Sequence, residues 1–181
     1  LRQALGPCGA HEVLAQYLAL GARRIHVVDL DGARAGSQGN REALGRLAAG
    51  SPEQALQVGG GIRTRQTADE LLALGIGRVV VGSVAVTQPD EVKAWLRDLG
   101  AERVVLAFDV RIDGGGTPRL ATHGWEKQTE ARLWDAVEDY LAAGLQHVLC
   151  TDVARDGALS GPNVGLYAEA VRRFPTVRWQ A

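Results

Sequence analysis

The segment Tyr17-Leu-Ala-Leu-Gly-Ala-Arg-Arg-Ile-His-Val-Val-Asp29 returns 123 residues later as Tyr140-Leu-Ala-Ala-Gly-Leu-Gln-His-Val-Leu-Cys-Thr-Asp152, with Tyr, Leu, Ala, Gly and Asp at the same offsets. The same shift carries Gln57 onto Gln180, each near the end of an apolar run that follows a helical one. The repeat is itself made of smaller units. Apolar runs at 25–29, 55–58, 78–81, 104–109, 147–151 and 177–180 read as strands, and amphipathic stretches at 10–20, 41–49, 67–74, 87–99, 130–143 and 164–174 read as helices. Near-continuous apolar strands separated by helices imply right-handed βαβ units and a parallel sheet covered by helices. Four βα units separate the two copies, so the repeating unit is half of a (β/α)₈ TIM barrel, and two halves come to about 246 residues, close to the usual size of that fold. A complete open sheet of six strands is the alternative that the repeat argues against.

By the same arithmetic this chain of 181 residues holds six of the eight strands. The first-half counterpart of the strand at 104–109 would precede Leu1, and the second-half counterparts of Gly59-Gly60-Gly61 and of Val80-Val81-Gly82-Ser83 would follow Ala181. The expectation is therefore one incomplete barrel domain over 1–181. Flanking sequence is expected to encode a strand ending in aspartate on one side, and a glycine-rich turn with a strand ending in Gly-Ser on the other. A barrel open at two parallel edges is expected to self-associate and to show no turnover by itself, whereas the complete protein is expected to be a monomer.

With 46% apolar residues and a net charge of -1, the chain can bury a core and has no electrostatic bias toward nucleic acid or anionic lipid. Cys8 and Cys150 are far apart and unpatterned, which indicates neither a disulfide framework nor a zinc site and makes a reducing cytoplasm the expected compartment. Cys150, inside an apolar run, reads as a packing residue. No stretch has the length of a membrane span, and the layout of a signal peptide is not seen at the N-terminus.

Barrel enzymes place their chemistry at the C-terminal ends of the strands. Residues 56–64 form a strand that breaks into Gly59-Gly60-Gly61, and bare backbone N–H groups there could receive an anion. Thr64 is placed to cap a following helix whose N-terminus would favour the same charge; a tight turn without a ligand is the alternative. Gly82-Ser83 allows the same two readings. Asp29 could ligate, orient a neighbour or hold its loop. Asp109 ends the apolar run Leu106-Ala-Phe, so its carboxylate is partly desolvated and suited to proton transfer, or else is paired with Arg111. Thr151 and Asp152, with Arg155-Asp156-Gly157 beyond them, belong to the same rim. Trp125, in a long connection over 112–128, could stack on a flat ring or anchor the loop, and the length of that connection suggests that it covers a substrate.

Ile25-His-Val-Val-Asp-Leu-Asp-Gly-Ala33, Gln57-Val-Gly-Gly-Gly-Ile-Arg63, Val79-Val-Val-Gly-Ser83, Leu106-Ala-Phe-Asp-Val-Arg111, His123-Gly-Trp125 and Cys150-Thr-Asp-Val-Ala-Arg-Asp-Gly157 together resemble the phosphoribosylformimino-5-aminoimidazole carboxamide ribotide isomerase family of histidine biosynthesis. The likeness extends over essentially the whole chain. It implies a (β/α)₈ barrel that uses no metal or cofactor and converts an N-substituted aminoaldose phosphate into its aminoketose by an Amadori rearrangement. It further implies that Asp109 is the general acid and that Thr151 and Asp156 position the substrate. Gly60, Gly61, Arg63, Gly82, Ser83, Asp29 and Trp125 are the residues expected to bind the bisphosphorylated substrate. In the family the general base is an aspartate on the first strand, and one phosphate is held by loops after the last two strands; neither region has a counterpart here. No nucleic acid, membrane or metal is implied.

Three alternatives accompany the isomerase. The barrel cyclase subunit of imidazole glycerol phosphate synthase shares the fold, the repeat and the Gly-Gly-Gly loop, but His123-Gly-Trp125 and Val27-Val-Asp-Leu30 favour the isomerase. A non-catalytic remnant that keeps phosphate sites is the reading from a different class. An isomerase that also serves tryptophan synthesis is the third.

Overall fold

The computed structural model describes residues 9–36, 39–122 and 127–181. By internal contacts the chain divides into two units, Leu1–Val79 and Val80–Ala181. In the first unit, α1 (Ala10–Ala19), β1 (Ile25–Val28), α2 (Leu30–Ala35), α3 (Arg41–Ala49), β2 (Leu56–Gly59) and α4 (Arg65–Ala73) follow in order. β1 and β2 are parallel, with Ile25 opposite Leu56 and Val28 opposite Gly59. Alternate residues of β1 face the helices: Ile25 and Val27 pack on a cluster of Leu14 from α1, Leu47 from α3 and Leu56 from β2. Thr64 caps α4 as expected, its hydroxyl accepting from the Thr67 N–H at 3.2 Å.

β3 (Arg78–Val81) spans the division between the units, with Val79 and Val81 fully buried. The second unit continues with α5 (Ser83–Thr87), α6 (Pro89–Leu99), β4 (Val104–Ile112), β5 (Pro118–Thr122), β6 (Lys127–Arg132), α7 (Leu133–Leu141), β7 (His147–Asp152), α8 (Val164–Arg173) and β8 (Arg178–Gln180). β4, β7 and β8 are parallel neighbours, whereas β4–β5 and β5–β6 are antiparallel. The helices cover this sheet with Trp95, Leu133, Val137 and Tyr140, and the buried Tyr140 hydroxyl donates to the Ala85 carbonyl at 2.8 Å. The alternation of parallel strands with covering helices is that of a partial (β/α)₈ barrel, six of whose strands are present.

The repeat survives in the register. Val148 lies opposite Trp179 and Leu149 opposite Gln180 in the β7–β8 pair; moved back by 123 residues, these are the Ile25–Leu56 and His26–Gln57 pairs of β1–β2. Gly21 and Gly144, also one shift apart, each follow a helix at φ +87°. Three local expectations are corrected. The connection over 112–128 is not a plain loop, because β4 continues to Ile112 and turns into the β5–β6 hairpin. Its turn is built by Asp113, whose Oδ1 accepts from the Gly115 and Thr117 N–H groups at 2.9 Å each. β6 runs to Arg132, so α7 begins at Leu133 and not at 130. Finally, Thr87 closes α5, donating its hydroxyl to the Ser83 carbonyl at 3.0 Å, and the next helix starts at Pro89.

Candidate active site

In the second unit the site rests on the strand register. Asp109 of β4 and Thr151 of β7 are directly opposed in the parallel pair. Along both strands the half-buried positions alternate with buried ones, so Ala107 and Asp109 share one face with Leu149 and Thr151, while Phe108, Val110, Cys150 and Asp152 lie on the other. The chain thus presents a carboxylate and a hydroxyl side by side near the C-terminal limit of the parallel β4–β7 pairing. Gly82 belongs to the same neighbourhood: a Cβ built on it would stand 3.6 Å from the Ala107 carbonyl oxygen, an ordinary contact. Ser83, exposed, opens α5 directly after it. Two open pockets of this unit, of about 550 Å³ and 540 Å³, lie along the hairpin beside Trp134 and Arg173 and beside Asp113 and Arg155; neither is lined by Asp109 or Thr151.

On the opposite face the β7–α8 loop is tied down. Asn163 donates to Asp152 Oδ2 at 2.7 Å, the Ala154 N–H donates to Asp152 Oδ1 at 3.1 Å, and the Asp152 carbonyl accepts from the Arg155 and Asp156 N–H groups. The Asp156 side chain is exposed on this loop. Cys150 is 1% exposed, and burial first, then the charges of Asp109 and Asp152, push its thiol up to about 12. It is a packing residue, as its sequence context suggests. The Tyr167 hydroxyl, raised above its usual range mainly by burial, donates to the Cys150 carbonyl at 2.8 Å.

In the first unit, Asp29 is 4% exposed and its Oδ1 accepts from the Gly32 N–H at 2.9 Å and from Asn40 at 2.7 Å. Its carboxylate therefore caps α2 and holds the loop, which is one of the roles weighed for it. Gly60 and Gly61 sit at φ +103° and +71° against this segment, and a Cβ would stand 2.2 Å from the Asp29 carbonyl oxygen and 2.5 Å from that of Gly32. Close backbone approach is thus a sufficient reason for both glycines. The Arg63 guanidinium donates to the Ala33 carbonyl at 3.2 Å near the C-terminus of α2 and lies over Gly36, which takes φ +71°. Trp125 lies outside the described residues, as does Cys8. Among the described residues no group of three or more His, Cys, Asp or Glu side chains is arranged to hold a metal ion, and no helix is long and apolar enough to cross a membrane.

The sequence places Arg155 on the rim without a role and does not single out Asn40 or Asn163. The signal was present, because Asn40 and Asn163 obey the same 123-residue offset as Asp29 and Asp152.

Comparison with known proteins bears on this geometry. The family described as "Histidine biosynthesis protein" matches residues 8–181. A 1-(5-phosphoribosyl)-5-((5-phosphoribosylamino)methylideneamino) imidazole-4-carboxamide isomerase from Pseudoalteromonas atlantica is 45% identical over 170 residues, 94% of this chain and 69% of the relative. Isomerases of the same name are 48% identical in Klebsiella pneumoniae, over 93% of this chain and 68% of the relative, and 46% identical in Actinobacillus pleuropneumoniae serotype 5b, over 94% and 68%.

Proposed function

The chain belongs to the histidine biosynthesis protein family, and from that premise we propose that it carries the isomerase chemistry of its named relatives, with Asp109 as the general acid. The observation that carries this reading is the opposition of Asp109 and Thr151 where the parallel pairing of β4 and β7 ends, in a chain 45–48% identical to enzymes named as isomerases. The substrate is a small phosphorylated molecule, read here as an N-substituted phosphoribosylamine with two phosphates. Asp109 delivers a proton to the ribose ring oxygen, the ring C–O bond breaks, and the nitrogen lone pair forms the iminium. A general base then takes the proton on the neighbouring carbon, giving an enolamine that tautomerises to the aminoketose. The half-buried position suits Asp109 to this task, because a rigid strand places it and partial desolvation keeps proton transfer useful. Thr151 and Asp156 position the substrate, and the loops at Gly60-Gly61, with Arg63, and at Gly82-Ser83 serve phosphate binding, Asp29 holding the loop beside Gly60. On the same reading residues 1–181 are one incomplete barrel domain of a monomeric cytoplasmic enzyme. The relatives' names favour the isomerase over the cyclase.

The test is Asp109→Asn in the protein as its gene encodes it. Turnover falls at least roughly a hundredfold, while substrate binding and the melting transition stay close to those of the parent, because asparagine keeps the shape and removes the transferable proton. Undiminished turnover, or a loss explained entirely by unfolding, refutes the acid role.

A further inference from the structure

We propose that Asn163 and Asp152 form a positioning pair that fixes the loop at residues 153–162, and with it Asp156, in the geometry the substrate requires; this rests on the reading of Asp156 as a substrate-positioning residue. Asp152 ends β7 with its side chain on the face away from Thr151 and is 6% exposed. Both of its carboxylate oxygens are engaged, Oδ1 by the Ala154 N–H and Oδ2 by Asn163, the latter at the short distance of a charge-assisted bond. The first half of the loop folds around the same residue through the Arg155 and Asp156 N–H groups. The second half returns to it through Arg155, whose Nη1 lies 3.4–3.5 Å from the Ser160, Gly161 and Pro162 carbonyl oxygens and whose Nε lies 4.0 Å from Asp152 Oδ2. Asp156 itself is left exposed, with its backbone held and its side chain outward.

The same device occurs where no substrate-positioning counterpart exists. One shift of 123 residues earlier, Asn40 donates to Asp29 at the same 2.7 Å, yet the positions matching Thr151 and Asp156 are Val28 and Ala33. The pair is thus a loop-holding element of each half, and in the second half the held loop carries a residue assigned to substrate positioning, Asp156. Asn163 also has a separable second role: its Oδ1 accepts from the Leu166 N–H at 3.1 Å and caps α8. Serine and aspartate are good caps too. Asn163→Ser therefore keeps the cap and removes the bond to Asp152, and Asn163→Asp keeps the cap while setting a second carboxylate against it.

Hydrogen exchange and steady-state kinetics on both variants, beside Asp156→Asn, decide the matter. Expected are faster exchange confined to residues 153–162, unchanged protection of β4 and β7, and a kcat lowered roughly tenfold or more with little change in KM, since misplacement by about 1 Å is enough for such losses. Unchanged exchange in the loop overturns the pair. Faster exchange with normal kcat, where Asp156→Asn is impaired, overturns the positioning role while leaving the functional reading standing. Normal kcat in Asp156→Asn itself refutes the reading beneath, and the inference with it. If Asn163→Ser loses protection throughout, Asn163→Asp supplies the same comparison.

Discussion

Asn40 and Asp29 stand 11 residues apart and are joined by a 2.7 Å hydrogen bond, and Asn163 and Asp152 repeat that spacing and that distance. Unlike Asn163, Asn40 makes no side-chain cap to the helix that follows it. Truncating it spares the helix cap and removes the bond to the buried Asp29 carboxylate together with a longer, exposed one to Asp31 at 3.3 Å. Asn40→Ala is expected to destabilise the protein by about 1.5–3 kcal/mol, the range for a hydrogen bond to a charged group. Urea denaturation measures it, and a change below about 0.5 kcal/mol would show that the bond does not hold the loop.

The glycines of the two candidate phosphate loops separate into different kinds. Gly60→Ala drives a methyl group into the Asp29 carbonyl at a backbone φ of +103°, whereas at Gly144, with φ +87°, nothing stands within 4 Å of the new atom. Gly144→Ala is expected to cost about 1–2 kcal/mol for the left-handed conformation alone, and Gly60→Ala to add an overpacking cost of about 1–3 kcal/mol. Loss of binding in a Gly60 variant would therefore report folding as much as phosphate. Gly82→Ala is the cleaner probe, since its methyl meets Ala107 in ordinary contact. It should leave the melting temperature nearly unchanged and raise KM. An unaltered KM there would remove Gly82 from the phosphate site.

Much of this was legible in the sequence because the periodic apolar runs and the 123-residue offset report directly on buried strands and their register. The sequence places Asp109 and Thr151 on the same rim, and the β4–β7 register sets them opposite each other. The hairpin was not legible: β5 and β6 are short, and polar and charged residues dominate β6. β5 gains its structure by pairing with the extended end of β4, and β6 by pairing with β5, a tertiary effect that local periodicity does not carry. α2 was missed because Gly32 sits inside it, and what holds its start is the Asp29 carboxylate at its N-cap. The charges of Arg63 and Asp29 are visible in sequence, whereas the carbonyl and N–H groups that engage them carry no sequence signal.

Cys150 is buried and its thiol is raised to about 12, so thiolate is scarce at pH 8. Native protein should therefore leave Cys150 unmodified by an aromatic disulfide reagent, while the denatured chain is labelled at once. Peptide mapping distinguishes it from Cys8. Rapid labelling of Cys150 in the native state would show that β7 is not packed as described.

The last prediction concerns the end of the sheet remote from Asp109. His147 and Arg178 are the first residues of β7 and β8, and Glu102 lies just before β4. Glu102 Oε2 is 2.9 Å from His147 Nε2, and its Oε1 accepts from Arg178 Nη1 at 2.5 Å, so one carboxylate joins the starts of three strands. The hydrogen bond from His147 first, and Arg178 next, hold Glu102 at about 2, against 4.5 for the ordinary group, with burial opposing. A carboxyl that is more acidic when folded stabilises the protein above its unfolded value, and that contribution is lost as pH falls from about 4.5 toward 2. Because the Glu102 side chain is 51% exposed, solvent screens the interaction, and its worth is about 1 kcal/mol or less. Glu102→Gln should lower the melting temperature near pH 7 and flatten its fall between pH 5 and pH 2.5. Turnover at neutral pH and permissive temperature should not change, since strand starts in this fold serve stability and strand ends serve chemistry. Parallel pH titrations of the two melting temperatures are the measurement, and equal slopes for parent and variant would show that the three-strand link contributes nothing.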